Sequence, residues 1–415
     1  MKRTLMTTVA AVAMVAAGAA HAQDSDPIKI GFMATLEGTY TVLGEDGLRG
    51  FRLALQEANE EAGGRPIEYV IAPTDASPDS AVRAARKLIE QDEVDFIIGP
   101  LSGSEGIAIR DLAKNYPNVT IINGSSGAQE ATYVDPADNF FRFNMDGAQW
   151  GVGLGNYVVN EKDWKYVAAV AEDYSFAYTN FLGFAHEFCN AGGEIVERFW
   201  VPLGTKDFAS VIAALPDDVD AIYLGLGGGD AVNFLNQYQQ AGGDANLIGG
   251  TIMVDGTVLN SKGNAKQALI GTPASGPQAD TWDDPKWQGF VKAYQDAFPP
   301  DQRFASPSLL ATAYYNSTNA ALQCLNEVGG TLSEDQSEFR ACLSSLELDA
   351  PNGKITLDGN RQAIGSNFVI EVFEQDDGTL ATKLVSKVDG IDQRLGMSQE
   401  DFDAIGRPAR DVPQC

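Results

Sequence analysis

Hydroxyls and glycines that follow short apolar runs are the residues of this chain best placed to hold a small molecule. In Val94 to Ile109, VDFIIGPLSGSEGIAI, the run Val94, Phe96, Ile97 and Ile98 stops at Gly99-Pro100. Leu101, Ser102, Gly103, Ser104 and Glu105 follow, and Ile107, Ile109 and Leu112 then recur at helical spacing. A junction of this kind lets backbone N–H groups and hydroxyls converge. The partial positive charge of a helix start makes a carboxylate or another small anion the natural guest. Alone, the stretch also reads as an ordinary strand-to-helix turn. Recurrence raises it: Val119 to Ile122 empties into Asn123-Gly124-Ser125-Ser126-Gly127-Ala128, and the first strand into Ala34-Thr35-Leu36-Glu37-Gly38-Thr39-Tyr40.

Other chemistries find less support. Of 2 histidines, His21 falls in a predicted leader, and His186 sits beside Phe184 and Phe188 in a helical pattern. A triad, a cysteine–histidine pair or a multi-histidine metal site would have to rest on that one residue. No catalytic residue and no metal ligand is assigned, although carboxylate-only or lysine-based chemistry is not excluded. Gly225, Gly227 and Gly229 do not give G-x-G-x-x-G, because Asp230 takes the last place, and no cofactor is expected. Cys189, Cys324, Cys342 and Cys415 lack zinc spacing. An exported chain with four cysteines invites disulfides. Cys324 and Cys342 lie on neighbouring predicted helices and are the favoured pair, with Cys189 and Cys415 as the remainder.

Repeated units must position these loops. Ile28, Ile30 and Phe32 open a strand; Leu48, Phe51, Leu55 and Ala58 share a helix face. Ile67 to Ala72 is a second strand, and Ala81, Val82, Ala85, Leu88 and Ile89 form a second amphipathic helix. Alternation of this kind predicts an α/β fold with doubly wound parallel sheets. Phe140-Phe141-Arg142-Phe143 reads as an extended link, after which the pattern restarts at Tyr166 to Ala171, whose exit is Glu172 to Tyr178. Strands at Ile195 to Val201, Ala221 to Leu224 and Leu247 to Gly250 follow. Beyond Asp283 the chain is mostly helical, with a long helix from Ser306 to Val328 and later strands at Ile355 to Leu357 and Phe368 to Phe373. The length suggests two lobes. Lys2 and Arg3, the apolar run Leu5 to Ala19 and Ala20-His21-Ala22 predict a signal peptide cleaved after Ala22, hence an exported, soluble product. A net charge of −28 argues against nucleic acid and anionic membranes as partners.

IKIGFMATLEGTY, GEDGLRGFRLALQEAN, AVRAARKLIEQDEVDFIIGPLSGS, AEDYSFAY, GGEIVERFWVPLGTKDFASVI, DDVDAIYLG and QYQQAGG, in that order, resemble the branched-chain amino-acid-binding family. These are the solute receptors of ABC importers with the type I periplasmic fold. The resemblance covers most of the mature chain. It implies two Rossmann-like lobes, 23–143 with 278–358 and 144–277 with 359–415, joined by three hinge crossings and closing on a ligand. The loops it assigns to the ligand contain Glu37, Thr39 and Tyr40; Ser102, Gly103 and Ser104; and Ser125, Ser126 and Gly127 in the first lobe. In the second lobe they contain Tyr174, Phe176 and Tyr178; Gly227 and Asp230; and Thr251 and Asp255.

Two departures bear on the ligand. Gly103 stands where leucine-type receptors place a serine on the carboxylate, and Thr251 where their acidic residue meets the ammonium. A buried ammonium without an opposing charge is costly, although Asp255, Asp230, Asp173 or Glu37 could supply one from another angle. Tyr40, Tyr174, Phe176 and Tyr178 could wall a ring or simply pack in the core. The expected function is the periplasmic solute-binding component of an ABC importer. The ligand is an aromatic or similar small organic acid ahead of a branched-chain-type amino acid. Expected partners are the solute and permease subunits with cytoplasmic ATPases; the chain is expected to be monomeric and not an enzyme. A sensor of the same fold, which signals rather than delivers, is the alternative.

Overall fold

Short apolar runs make strands buried on both faces, and a helix after each brings the chain back so that the next strand lies parallel. The computed structural model describes residues 26–415; the predicted signal peptide and its cleavage site lie outside them. In the first lobe, β1 (Ile28–Thr35), β2 (Glu61–Ala62), β3 (Arg65–Thr74), β4 (Phe96–Ile98), β5 (Thr120–Ile122) and β6 (Phe140–Phe141) form one sheet in the order β2-β3-β1-β4-β5-β6. All neighbours are parallel except the β2–β3 hairpin. Helices Thr41–Glu57 and Leu309–Glu327 cover one face. They approach so closely that a Cβ on Gly50 would lie 2.0 Å from the Ala311 carbonyl oxygen.

The second lobe repeats the plan with β7 (Tyr166–Glu172), β8 (Glu194–Val201), β9 (Ala221–Gly225), β10 (Asn246–Gly249) and β11 (Pro273–Gly276), in the order β8-β7-β9-β10-β11. Separate apolar clusters fill the two faces of this sheet. β12 (Leu348–Ala350), β13 (Gly353–Leu357), β14 (Ala363–Glu374) and β15 (Leu380–Ile391) then add antiparallel strands. β14 joins the lobes: it pairs with β13 at Ala363 and Ile364 and with β11 from Phe368 to Glu371. The sequence reading changes at several strands. Phe140 and Phe141 are a sixth strand rather than only a link, and β2, β11, β12 and β15 were not anticipated.

Next to the crossings lies a fully buried polar network. Arg142 donates to the Ala128 carbonyl at 2.6 Å and to Thr132 Oγ1 at 2.6 Å, and lies 3.7 Å from Asp146. Gln362 Nε2 donates to Gln149 Oε1 at 2.8 Å, and Gln149 Nε2 donates to the Ala363 and Ile391 carbonyls. Side chains thus stand in for water around the strands that pass between the lobes. Bridges Cys324–Cys342 and Cys189–Cys415 are formed. The tail helix Gln399–Ile405 packs Phe402 on Tyr133, while Arg410 pairs with Asp173 of the second lobe.

Candidate functional site

The carboxyl ends of β4, β5, β7 and β10 face one another, so the loops after them meet across the cleft. After β4 the chain turns at Gly99-Pro100 into helix Gly103–Ala113, capped by Ser102. The cap is reciprocal: Ser102 N–H donates to Glu105 Oε2 at 2.9 Å, and Glu105 N–H donates to Ser102 Oγ. Ser102 Oγ in turn donates to the Ala76 carbonyl, which turns the hydroxyl away from a ligand. Helix geometry leaves the N–H groups of Gly103 and Ser104 without an intrahelical acceptor. After β5, Ser125 N–H donates to the Pro100 carbonyl and its Oγ to the Leu101 carbonyl. Gly127 N–H has no acceptor among the described residues.

From the second lobe, Phe176 and Trp150 meet edge to face, 6.0 Å between centroids, and Tyr174 lies 6.0 Å from Phe176. Tyr40 reaches across from the first lobe. Its hydroxyl donates to Glu172 and lies 3.1 Å from the Tyr174 hydroxyl, while Gly227 N–H donates to Glu172 Oε1 at 3.2 Å. Burial pushes the Glu172 carboxyl well above the usual range; the Tyr40 bond opposes this, and Asp230 and Asp255 add to it. Burial and the neighbouring Glu172 also raise the Tyr40 phenol.

These groups enclose a cavity of about 30 Å³. Tyr40, Tyr174, Phe176 and Trp150 form its walls and Leu43, Leu101, Ile252, Leu309 and Leu310 its apolar remainder, with Ser102, Gly103, Ser125 and Gly127 at one side. No Asp, Glu, Lys, Arg or His lines it. The volume is far below the roughly 300–1,000 Å³ of pockets for drug-sized ligands, so this arrangement is a closed cleft that must part to admit a ring. A larger groove of about 590 Å³ shares Leu309 but is lined by Thr251, Asp255 and the segment 275–309 together with the β14–β15 hairpin. It touches none of the first-lobe loops that follow β1, β4 and β5, so it is not the place where the two sheets open towards each other.

The remaining expected residues divide by location. Thr39 Oγ1 donates to Asp230 Oδ1 at 2.8 Å, and Ser104 Oγ lies 3.1 Å from Ser175 Oγ, so these tie lobe to lobe rather than line the cavity. Gly204 N–H also donates to Asp230. Thr251 accepts from Asn180 Nδ2 at 2.9 Å, and Asp255 caps helix Gly256–Leu259; both face the larger groove. Ser126 packs under Gly106, where a Cβ would lie 1.8 Å from its Oγ. Tyr178 turns to Asp173 and Trp200, and Glu37 is exposed. Sequence reasoning did not single out Glu172, Trp150, Ile252, Leu309 or Leu310. Only Glu172 had a signal, a carboxylate ending a buried strand.

Among the described residues no group of three or more His, Cys, Asp or Glu is arranged to hold a metal ion, and no helix is long and apolar enough to cross a membrane.

The model of a periplasmic binding protein family matches residues 27–378. The Leu/Ile/Val-binding protein homolog 6 of Brucella melitensis is 23% identical over 389 residues, covering 92% of this chain and 96% of the relative. A solute-binding protein of an ABC transporter from Rhodopseudomonas palustris BisB5, in complex with 3,4-dihydroxybenzoic acid, superposes with TM-score 0.80 at 24% identity, covering 88% of this chain and 98% of that one. A branched-chain amino acid transporter substrate-binding protein from Streptococcus pneumoniae, in complex with isoleucine, gives TM-score 0.73 at 21% identity, with 87% and 99% covered. With two α/β lobes, facing strand ends and a family model spanning most of its length, this chain belongs to the periplasmic binding protein family.

Proposed function

We propose that this protein is the exported solute-binding component of an ABC importer and that its solute is an aromatic or similar small carboxylate. The observation that carries the ligand class is the cavity lining. Aromatic rings wall it, Gly103 and Gly127 stand at one side, and no Asp or Glu lines it. A carboxylate would meet donors at a helix start, whereas a buried ammonium would lack an opposing charge. A relative of the same fold holds a dihydroxybenzoate, which fits this reading. Uptake is a two-state process: the open form collects solute, and contacts from both lobes stabilise the closed form that permease subunits recognise. The predicted signal peptide would deliver the chain to the periplasm.

One observation favours a branched-chain-type amino acid instead. Glu172 lies directly behind the Tyr40 and Tyr174 hydroxyls, and a rearranged Tyr40 would expose it to an ammonium. Thermal-shift screening of the mature chain against benzoate, leucine and isoleucine separates the two. Benzoate should raise the melting temperature through mass action. Stabilisation by the amino acids alone would reject the aromatic-acid reading.

A further inference from the structure

The cleft cavity has a smaller neighbour towards the hinge. Trp150 and Leu309 line both. The second cavity is about 20 Å³, room for one water-sized group. Two buried polar atoms in its lining residues lack partners: Trp150 Nε1, which can only donate, and Asn316 Oδ1, which can only accept. Trp150 is 1% exposed and Asn316 2%. The Asn316 amide is held in one orientation, because its Nδ2 donates to Asn352 Oδ1 at 3.0 Å while Asn352 Nδ2 donates to the Pro277 carbonyl.

A donor and an acceptor left unmet at one small volume fit a hydroxyl, which accepts one hydrogen bond and donates another. We infer that Trp150 and Asn316 form a hydroxyl subsite at the hinge end of the cleft, and that the solute is a ring carboxylate carrying a hydroxyl away from its acid group. The inference rests on the carboxylate reading above. The acid end meets the Gly103 and Gly127 side of the first cavity, the ring lies against Tyr174 and Phe176, and the hydroxyl passes Leu309. Trp150 belongs to the second-lobe helix Gly147–Gly151 and Asn316 to the first-lobe helix Leu309–Glu327. One hydroxyl therefore bonds to both lobes, so the group that distinguishes the solute also holds the cleft shut. A trapped water has the same two-sided chemistry and fills the place when the solute has no hydroxyl.

Calorimetry on the mature chain tests this with two pairs of compounds, each differing by one ring hydroxyl: benzoate with 4-hydroxybenzoate, and phenylalanine with tyrosine. Wild type should bind 4-hydroxybenzoate about tenfold or more tighter than benzoate, because only the former meets both orphan groups. Trp150→Phe keeps a ring and removes the N–H; Asn316→Leu removes the acceptor at similar size. Either should bring the ratio within about threefold, and melting curves show which variant is folded and decides the matter. A wild-type ratio near one, or a ratio unchanged in the folded variants, would mean that the cavity holds water only and would overturn the subsite. Binding of the amino-acid pair alone would defeat the carboxylate reading, while the tyrosine-to-phenylalanine ratio would still judge the hydroxyl. If neither hydroxylated compound binds, the subsite is rejected.

Discussion

Asp255 is 3% exposed and accepts N–H bonds from Thr257 and Gly228, yet burial outweighs them and lifts its carboxyl to about 6. A carboxyl whose folded value lies above its unfolded value holds more protons in the folded state. Its burial therefore costs nothing below pH of about 4, and costs progressively more up to about 6. A rise of that size corresponds to roughly 3 kcal/mol. Asp255→Asn, which keeps an acceptor for Thr257 N–H, should gain about that much relative to wild type between pH 4 and pH 7. Urea unfolding at both values checks it, and a difference that does not change with pH would contradict the assignment. Gly103 tests closure. A Cβ there would lie 2.8 Å from Phe176 Cβ and 2.9 Å from its backbone nitrogen, atoms of the opposite lobe. Gly103→Ala suits the first turn of a helix, so the unliganded melting temperature should hold while solute affinity falls about tenfold or more. Calorimetry beside a melting curve separates the two effects.

At the scale of elements, the hinge contrasts with the strands it connects. Strand β4 is wholly apolar and β5 nearly so, whereas the crossings carry Arg142, Asp146, Gln149 and Gln362, each 0% exposed. Burial pulls the Arg142 guanidinium down to about 10, with Asp146 and then Asp358 opposing that. Removing one partner of a buried pair leaves the other uncompensated. Arg142→Met should thus destabilise the chain by about 3–5 kcal/mol, and adding Asp146→Asn should recover part of the loss. Denaturant titration of the single and double variants measures both. A loss below about 1 kcal/mol would show that the Gln149 and Gln362 amide bonds, not Arg142, hold the crossings. The small-residue loop after β4 and the helix start that follows it were legible because they depend on neighbours in the chain. β15 was not, since Lys383, Ser386 and Lys387 interrupt its apolar pattern, although it pairs as a hairpin with the preceding strand β14.

For the whole molecule, the tail is part of the two-lobe geometry. It leaves β15, lays helix Gln399–Ile405 against Tyr133 of the first lobe, and returns to the second lobe through Arg410 on Asp173 and Cys415 on Cys189. Closing so long a loop restricts the unfolded chain strongly. Cys189→Ser with Cys415→Ser should lower stability by about 2–5 kcal/mol, read by melting under non-reducing conditions. Wild type treated with reductant, which can lose Cys324–Cys342 as well, should melt no higher than the variant. Equal melting temperatures for variant and oxidised wild type would show that the tail's other contacts suffice.

What the chain alone determined is local and periodic: the apolar runs, the loops of glycine and hydroxyl residues that follow them, the alternation that makes two α/β lobes, and a resemblance carried by several motifs in order. Those features survive in isolation because each is set by residues a few positions apart. The tertiary structure decided which loop residues line the cleft cavity. Thr251 is bound to Asn180 and Asp230 to Thr39, through partners far off in the chain or across the cleft that no local pattern names. Trp150 came forward only because its N–H was left without an acceptor once both lobes had closed around it.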